Sequence, residues 1–403
     1  MFHRLRRTRR LTLASVAIAT LISLPALATA PAHADDDATP APVTSGLDAT
    51  GYSGPIGAPG ALITQVPLAS SVSIPAAGRA YRVLYSTRDI HGRPAVSSGE
   101  VLLPKRPAPA GGYPVIAWAH GTTGLGDNCA PSVLPHSDRD ATYLGHWLDQ
   151  GYAIVATDYV GLGTPGFMNY LSGTAEAQSV VDSVRAAQQM DLPLAKKWAI
   201  VGQSQGAGAA LNAARRATAL SAGSGLDYRG VVATGTPANI EQVVALGAPA
   251  PVALPTSLNI YTAYILAGFA DARPDLNVPG ILTPQGRQII AKARTLCYAE
   301  MQPVVQGVTL GEFLAKPVSS IPNVRAALTE YMGTPFSGYD RPIFLGQGLL
   351  DTDVPAPSAL SLYAQMVAAG QPVDFHVYPT QDHSGTVLAS MPDSTPFVAR
   401  IMK

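Results

Sequence analysis

Short apolar runs that alternate with helical patterns constrain the fold of this 403-residue chain more than any other feature. The apolar runs are Pro114–Ala119, Tyr152–Thr157, Trp198–Val201, Gly230–Thr234, Pro342–Leu345 and Val373–Tyr378. Runs of this length are typical of strands that are covered on both faces. The helical patterns between them are Ala141–Gln150, Ala175–Met190, Ala207–Leu220 and Ala359–Ala369. The alternation predicts an α/β fold with a mainly parallel sheet flanked by helices.

Before this region, Ala80–Ser86 and Ser97–Leu103 alternate apolar and polar residues, as half-buried antiparallel strands do. Residues 35–60 are rich in Pro, Gly, Ala and Thr and predict a flexible mature N-terminus. The predicted core then comprises residues 61–238 and 338–403.

Residues 239–337 interrupt the alternation because they offer helical segments cut by prolines and no clear strand. The helical segments are Leu258–Ala270, Pro284–Glu300 and Leu310–Leu314. We interpret the stretch as a helical cap inserted over the sheet; core helices are the alternative, which its length disfavours.

The first 34 residues have the features of an export signal. A cluster of arginines precedes an apolar stretch of small residues, and Ala32-His33-Ala34 fits a small-x-small cleavage site. A membrane anchor is the alternative, but Pro25 interrupts the run and the cleavage pattern follows at once. Residues 1–34 are therefore predicted to be a signal peptide, and the protein to be secreted.

The charge and the cysteine content limit which partners, disulfides and metal sites the chain can have. The formal net charge is zero, so the chain has no basic stripe to neutralise phosphates and nucleic acid is excluded as a partner. Two cysteines in an exported chain predict one disulfide, with two free buried thiols as the alternative. Two cysteines without a nearby histidine pair do not make a closed zinc site.

The string Gly202-Gln203-Ser204-Gln205-Gly206 lies between a predicted strand and an Ala-rich predicted helix. This is the context of a nucleophile elbow, in which a serine oxygen is exposed on a tight strand-to-helix turn. Glycines on both sides relieve the backbone crowding of such a turn. We expect Ser204 to be a catalytic nucleophile.

A serine hydroxyl needs a base, which this architecture supplies in the chain order Ser, acid, His. His383 follows the run Val373–Tyr378 in a loop, whereas His376 lies within that run and is interpreted as a packed strand residue. The predicted acid is Asp351, in a D-x-x-V-P string, and Asp353 is the alternative.

An oxyanion hole needs two backbone donors. One is predicted to be the N–H of Gln205, directly after the nucleophile. The other is assigned to Thr122 in the loop after Pro114–Ala119, with Thr123 as the alternative, and His120 is expected to hold that loop.

Other motifs do not support a cofactor or metal. Residues 161–166 read G-x-G-x-x-G, but Pro165 and Phe167 replace the helix start that a dinucleotide site requires. No Walker loop, H-E-x-x-H or EF-hand string is present, so neither a cofactor nor a metal is predicted.

Several strings together resemble the secretory lipase family, the group of fungal lipase A and its secreted bacterial relatives. The strings are 118–124 (WAHGTTG), 127–132 (DNCAPS), 158–163 (DYVGLG), the Ser204 elbow, 348–355 and the loop at His383. The resemblance runs from about residue 60 to the C-terminus. It implies an α/β-hydrolase core, a cap before the acid strand, a Ser204–Asp351–His383 triad and a Cys129–Cys297 disulfide. The fungal members carry a further disulfide that this chain lacks.

The resemblance also implies a function. We expect a carboxylic-ester hydrolase acting through an acyl-enzyme on acylglycerols or other apolar acyl esters, as a monomer in transient contact with a lipid surface. The main alternative is a short-chain or polymer esterase with the same triad. An exopeptidase would need an anchor for the substrate amine, which we do not locate, and a non-catalytic binding module is the alternative of another class.

Overall fold

The computed structural model describes residues 39–403, and the predicted signal peptide lies outside them. Within this range one sheet contains nine strands, and the predicted mainly parallel sheet is confirmed. The strands are β1 (Leu62–Pro67), β2 (Ala77–Arg88), β3 (Pro94–Pro104), β4 (Tyr113–Ala119), β5 (Ala153–Thr157), β6 (Leu194–Gln203), β7 (Asp227–Thr234), β8 (Ile343–Gly348) and β9 (Val373–Tyr378).

The order across the sheet is β1-β2-β3-β5-β4-β6-β7-β8-β9. The first three strands pair antiparallel with their neighbours, and β3 pairs antiparallel with β5. All pairs from β5 to β9 are parallel, so the carboxyl ends of these six strands lie at one edge. Loops at that edge are where ligands bind in sheets of this type.

Helices cover both faces of the sheet. Those described are α1 (Asp138–Gln150), α2 (Gly173–Ala187), α3 (Gln205–Leu220), α4 (Ile240–Ala245), α5 (Thr256–Ala272), α6 (Pro284–Ala293), α7 (Tyr298–Val305), α8 (Leu310–Phe313), α9 (Val324–Met332), α10 (Ala356–Ala368), α11 (Gly385–Ala389) and α12 (Met391–Ile401). None of the helices within residues 39–403 is both long and apolar enough to cross a membrane.

Alternate residues of each central strand pack into different cores because successive side chains point to opposite faces. In β4, Val115 and Ala117 join the core formed with α2 and α3, whereas Ile116 and Trp118 join the core formed with α1 and α12. Both cores are continuous along the sheet, which explains why the strand sequences are apolar throughout.

Residues 239–337 contribute α4 to α9, and no strand of the sheet falls between β7 and β8. The stretch lies between two neighbouring parallel strands, so it leaves and re-enters the sheet at adjacent positions. The sequence pattern predicts one helical segment over Pro284–Glu300. The structure has two helices there, because Cys297 is an extended residue at the start of α7.

The start of the described chain carries no regular element before Leu62 but contacts the core. The Val43 N–H donates to the Val133 carbonyl at 2.8 Å, and the Arg82 guanidinium donates to the carbonyls of Thr44 and Leu47. This part of the segment predicted to be flexible is therefore held against β2.

Candidate active site

Loops from the carboxyl ends of four parallel strands meet at one edge of the sheet. Ser204 follows β6, Asp351 follows β8, His383 follows β9, and Thr122 follows β4. These segments are far apart in sequence, and β7 lies between β6 and β8 in the sheet. The structure thus brings the predicted site residues to one place.

Ser204 lies on a sharp turn between β6 and α3. Its φ is +57° and its ψ is −125°, a left-handed value that a non-glycine residue adopts only under constraint. The Ser204 N–H is fixed by the Thr234 carbonyl of β7 at 2.9 Å. The turn therefore holds the serine in one position at the sheet edge.

The close packing of α3 against β4 requires glycine at position 206. A Cβ atom at this position would lie 1.9 Å from the Ala119 carbonyl oxygen of β4, so α3 packs directly on the backbone of the neighbouring strand. Only glycine allows this approach, which supports the sequence interpretation of the glycine pair around Ser204.

Asp351 and His383 form a buried hydrogen-bonded pair. His383 Nδ1 lies 2.7 Å from Asp351 Oδ2, and the two residues are 9% and 5% exposed. The carboxylate also accepts from the backbone N–H groups of Asp353 and Val354 and from the Gln347 amide. An ionised carboxylate only accepts, so Nδ1 carries a hydrogen and Nε2 is left as the acceptor.

His383 Nε2 faces the side-chain amide nitrogen of Gln203 at 3.1 Å. Among residues 39–403, no hydrogen bond joins Ser204 Oγ to His383, although both residues line the same cavity. Free hydrolases often have long catalytic hydrogen bonds that form only with substrate. Gly235, with φ of +60°, leaves space for the imidazole, since a Cβ there would lie 2.9 Å from His383 Cε1.

Asp353, the alternative acid, lies beside this pair rather than in it. Its backbone N–H donates to Asp351, and its own carboxylate accepts from Tyr261 OH at 3.4 Å. The ligand atoms of Asp351, Asp353 and His383 lie within 4.8 Å of one another, the spacing of a cation site. However, the Asp351 carboxylate already accepts hydrogen bonds from Gln347, from two backbone N–H groups and from His383 Nδ1. These atoms are therefore not free to bind a cation, and the three side chains do not fit a metal site.

Among residues 39–403, the backbone N–H groups of Thr122 and Gln205 donate to no acceptor, and the N–H of Thr123 has none either. Thr122 is fixed by a hydrogen bond of 2.6 Å between its hydroxyl and Tyr170 OH. Gln205 is the first residue of α3, where the helix dipole favours negative charge. The Thr123 carbonyl accepts from the Tyr298 N–H at 2.9 Å. Thr123 lines the same cavity as Thr122 and Ser204, so it stays the alternative donor.

Glu176 is a site-supporting residue that sequence analysis missed. This buried carboxylate of α2 accepts from the Gln205 side-chain amide at 2.7 Å and from the Leu171 N–H at 3.0 Å. Burial raises the pKa of Glu176 to about 8. No specific sequence signal marks it, because the helical pattern around Glu176 also contains Asp182 and Arg185.

A disulfide joins Cys129 to Cys297, which are 168 positions apart in sequence and have Cα atoms 5.3 Å apart. Next to it, Gly124 forms a backbone bridge with Cys297. The loop that carries Thr122 is therefore attached, covalently and by hydrogen bonds, to the start of α7.

Two cavities meet at Ser204. The first, of about 530 Å³, runs under α4 and α5 and is lined mainly by aliphatic side chains such as Val244, Leu258 and Ile265. The second, of about 490 Å³, contains His383 together with Glu100 and His136. We call them the apolar cavity and the polar cavity. Ser204, Tyr261 and Asp353 line both.

His120 and His376, which the sequence predicts to be structural residues, each contact a neighbouring side chain. His120 packs against the Tyr159 ring at 4.4 Å between centroids, and burial lowers its pKa. His376 lies in β9 with its Nε2 at 2.9 Å from Asp374.

Comparison with known proteins agrees with this architecture. The secretory lipase family profile matches residues 136–400. No curated protein sequence matches the chain. Candida antarctica lipase A in its closed state is similar in structure, with a TM-score of 0.67 and 20% identity, over 92% of this chain and 86% of that one.

Two bacterial structures are also similar. The rice cell wall degrading esterase LipA from Xanthomonas oryzae has a TM-score of 0.68 and 22% identity, over 85% of this chain and 97% of its own. A putative hydrolase from Legionella pneumophila has a TM-score of 0.67 and 18% identity, over 84% and 98%. These likenesses show the α/β-hydrolase fold. Because the family profile covers more than half of the sequence, the chain is a lipase/esterase-type hydrolase that belongs to the secretory lipase family.

Proposed function

We propose that this protein is a serine hydrolase that cleaves carboxylic esters, with Ser204 as nucleophile, His383 as base and Asp351 as the acid that orients the imidazole. The observation that carries the proposal is the Asp351–His383 pair, hydrogen-bonded at 2.7 Å. Its His383 lines the same cavity as Ser204, a serine on a strained strand-to-helix turn. Such a turn persists only where the surrounding structure enforces it, and functional sites are where it is found.

The reaction proceeds in two steps. His383 Nε2 accepts the Ser204 proton as Oγ attacks the ester carbonyl carbon, and the N–H groups of Thr122 and Gln205 stabilise the oxyanion. His383 then protonates the departing alcohol and the acyl-enzyme remains. Water repeats the sequence and releases the acid. The Gln203 amide must leave Nε2 for the first proton transfer to occur.

The apolar cavity supports an acyl chain as the substrate's acid half. It begins at Ser204 and Gln205 and continues along α5 past Leu258, Ile265 and Leu266. Pockets lined by aliphatic side chains select apolar ligands. We therefore propose a lipase acting on acylglycerols or other apolar acyl esters.

Contact with a lipid surface is part of this proposal. Val243 and Leu246 line the apolar cavity and are 65% and 67% exposed, so its rim presents aliphatic side chains to the outside. The proposal further comprises secretion, a monomeric state and a cap formed by residues 239–337.

The alternative is a short-chain or polymer esterase. One of the similar structures is described as a cell wall degrading esterase, and the polar cavity beside Ser204 has room for a hydrophilic group. A series of p-nitrophenyl esters separates the two functions: a rate maximum at acetate or butyrate would favour the esterase, and one at octanoate or longer the lipase.

The decisive experiment is labelling with a fluorophosphonate probe, which reacts with activated serines. We expect the native protein to be labelled and Ser204→Ala to be unlabelled, with kcat/KM on p-nitrophenyl octanoate reduced by about four orders of magnitude or more. An unchanged thermal unfolding curve would show that the variant is folded. Near-normal activity of Ser204→Ala would refute the mechanism, and an unlabelled native protein would favour a non-catalytic binding module.

A further inference from the structure

The position of His383 indicates which half of the ester enters each cavity. The general acid must reach the oxygen of the departing alcohol. His383 lines the polar cavity and is not among the residues that line the apolar cavity within 39–403. The alcohol therefore departs into the polar cavity, while the acyl chain extends into the apolar one.

The polar cavity contains a buried acid-base pair that the proposed reaction does not use. Glu100 of β3 is 1% exposed, and its Oε1 lies 2.9 Å from His136 Nε2. The two atoms are close enough to attract as charges but are misaligned for a hydrogen bond, so within residues 39–403 neither Glu100 oxygen accepts one. Such unmatched buried acceptors are rare, since each lost hydrogen bond costs about 1–3 kcal/mol.

Burial opposes the charged form of His136, but its attraction to the charge of Glu100, with smaller effects of Asp140 and Asp158, raises its pKa overall. The pair therefore presents both an acceptor and a donor. A hydroxyl group can serve both, because it accepts and donates at once.

The other acidic groups around the cavity already have partners. Asp158 accepts from the Ser98 hydroxyl at 2.6 Å and from the Ser132 N–H at 2.9 Å. Asp140 is paired with Arg139 at 2.8 Å. Asp353, which also lines the cavity, accepts from Tyr261 OH at 3.4 Å. The charge of Glu100 is opposed by His136 at 2.9 Å, so a neutral hydroxylated group fits the lining better than a cationic alcohol.

We propose that the polar cavity is a subsite for an alcohol with free hydroxyl groups beside the ester, which Glu100 and His136 bind. The inference rests on the proposed function and specifies its leaving group as a polyol, such as glycerol or a sugar, rather than an alkyl alcohol or a diacylglycerol. The shared chemistry of the two sources is a neutral chain or ring with adjacent hydroxyls.

The test compares esters that differ only in their hydroxyl groups. One pair is 1-octanoylglycerol and 2,3-dimethoxypropyl octanoate; the second is 6-O-octanoylglucose and its permethylated form. Methylation removes the donors and leaves the acyl chain and the reactivity of the ester nearly unchanged. We expect the native enzyme to favour the free-hydroxyl member by about tenfold or more in kcat/KM, as one or two hydrogen bonds to charged groups provide. The pair with the larger ratio identifies the source.

A double variant tests the residues. Glu100→Leu with His136→Phe removes both charges together, which avoids an uncompensated buried ion. We expect the ratio to fall by about tenfold or more, chiefly through KM. His91→Asn, in the exposed turn between β2 and β3, is the matched control and should keep the native ratio.

Several outcomes overturn the inference. Equal rates within both ester pairs for the native enzyme would overturn it without any variant. A double variant that keeps the native ratio would also overturn it, and so would a preference of the native enzyme for choline octanoate over both polyol esters. If these esters are cleaved by the native enzyme and not by Ser204→Ala, the proposed function stands even when the subsite fails. If none is cleaved, the proposed function itself fails.

Discussion

At the residue scale, the two carboxylates that follow β8 differ in what their oxygens bind. Asp351 is buried and accepts from His383, Gln347 and two backbone N–H groups, whereas Asp353 faces the cavities and accepts from Tyr261. Sequence spacing could not separate them, because both lie in the same loop. Their surroundings favour Asp351 as the orienting acid.

This difference gives a prediction for a matched pair of variants. Asp351→Asn should lower kcat on p-nitrophenyl octanoate by about 10⁴-fold, because an amide no longer fixes the imidazole tautomer. Asp353→Asn should lower it by less than about tenfold. Steady-state kinetics on both variants, with circular dichroism to establish folding, make the comparison. A larger loss in Asp353→Asn would exchange the two roles.

Glu176 adds a pH dependence at the same scale. Its pKa is raised by burial to about 8 in the folded protein, against 4.5 for an unperturbed glutamate. The folded state therefore binds more protons than the unfolded state between these values, so stability is full below about pH 4.5 and falls as pH rises towards 8. The loss is on the order of a few kcal/mol.

Glu176→Gln should remove this dependence, because a glutamine side chain does not ionise. Its neutral amide oxygen can still accept from Gln205 and Leu171, so the contacts are kept. We expect the decrease in Tm between pH 6 and pH 9 to be smaller in the variant than in the native protein. Thermal unfolding across that range measures it. Parallel curves for the two proteins would mean that Glu176 does not ionise in this interval.

At the scale of elements, the predicted strands and helices lie close to their observed positions where the periodicity is long. β9 coincides with the predicted run, and α3 begins at Gln205, two residues before the predicted start at Ala207, and ends at Leu220 as predicted. β1 was not predicted, because it is a six-residue strand at the sheet border with only partial burial. The break between α6 and α7 also escaped prediction, since tertiary contacts of Cys297 create it.

The disulfide couples two elements that are distant in sequence. A double Cys129→Ser, Cys297→Ser variant should unfold several degrees lower, because closing a loop of this length stabilises by up to about 5 kcal/mol in the chain-entropy model. It should also lose part of kcat, because the Thr122 loop is no longer attached to α7.

Calorimetry and kinetics check both effects. Reducing agent provides the internal control: it should lower the Tm of the native protein towards that of the double variant and leave the variant unchanged. A variant with native Tm and native kcat would show that the backbone bridge alone holds the loop.

At the scale of the whole molecule, the core and residues 239–337 contribute unequally to the two cavities at Ser204. The apolar cavity is lined by one face of α5, on which Leu258, Thr262, Ile265 and Leu266 recur at helical spacing. The polar cavity is instead bordered by β3 and by the loops after β4 and β6. The two cavities share Ser204, Tyr261 and Asp353, but most of their lining residues belong to only one of them, so one cavity can be altered without the other.

Leu258→Trp should fill part of the apolar cavity and shift the preferred p-nitrophenyl ester to a shorter acyl chain, with the rate on acetate little affected. A chain-length series from acetate to palmitate measures the shift. Val367→Trp, at a 52% exposed position of α10 outside both cavities, is the matched control. An unchanged optimum in Leu258→Trp would place the acyl chain elsewhere.

The sequence alone determined the layered α/β architecture and the positions of Ser204 and His383, because both follow from local patterns. Strand and helix periodicities are short-range, and a strand-to-helix turn with flanking glycines is recognisable within five residues. The order Ser, acid, His then limited the base to the last strand and its loop.

Only the tertiary structure decided which polar groups meet. The contacts of Glu176 with Gln205 and of Glu100 with His136 depend on packing between elements that are not neighbours in sequence. The division of the site into an apolar and a polar cavity has the same origin. The free energy of a buried polar group depends on its partners, and a linear pattern does not specify those partners.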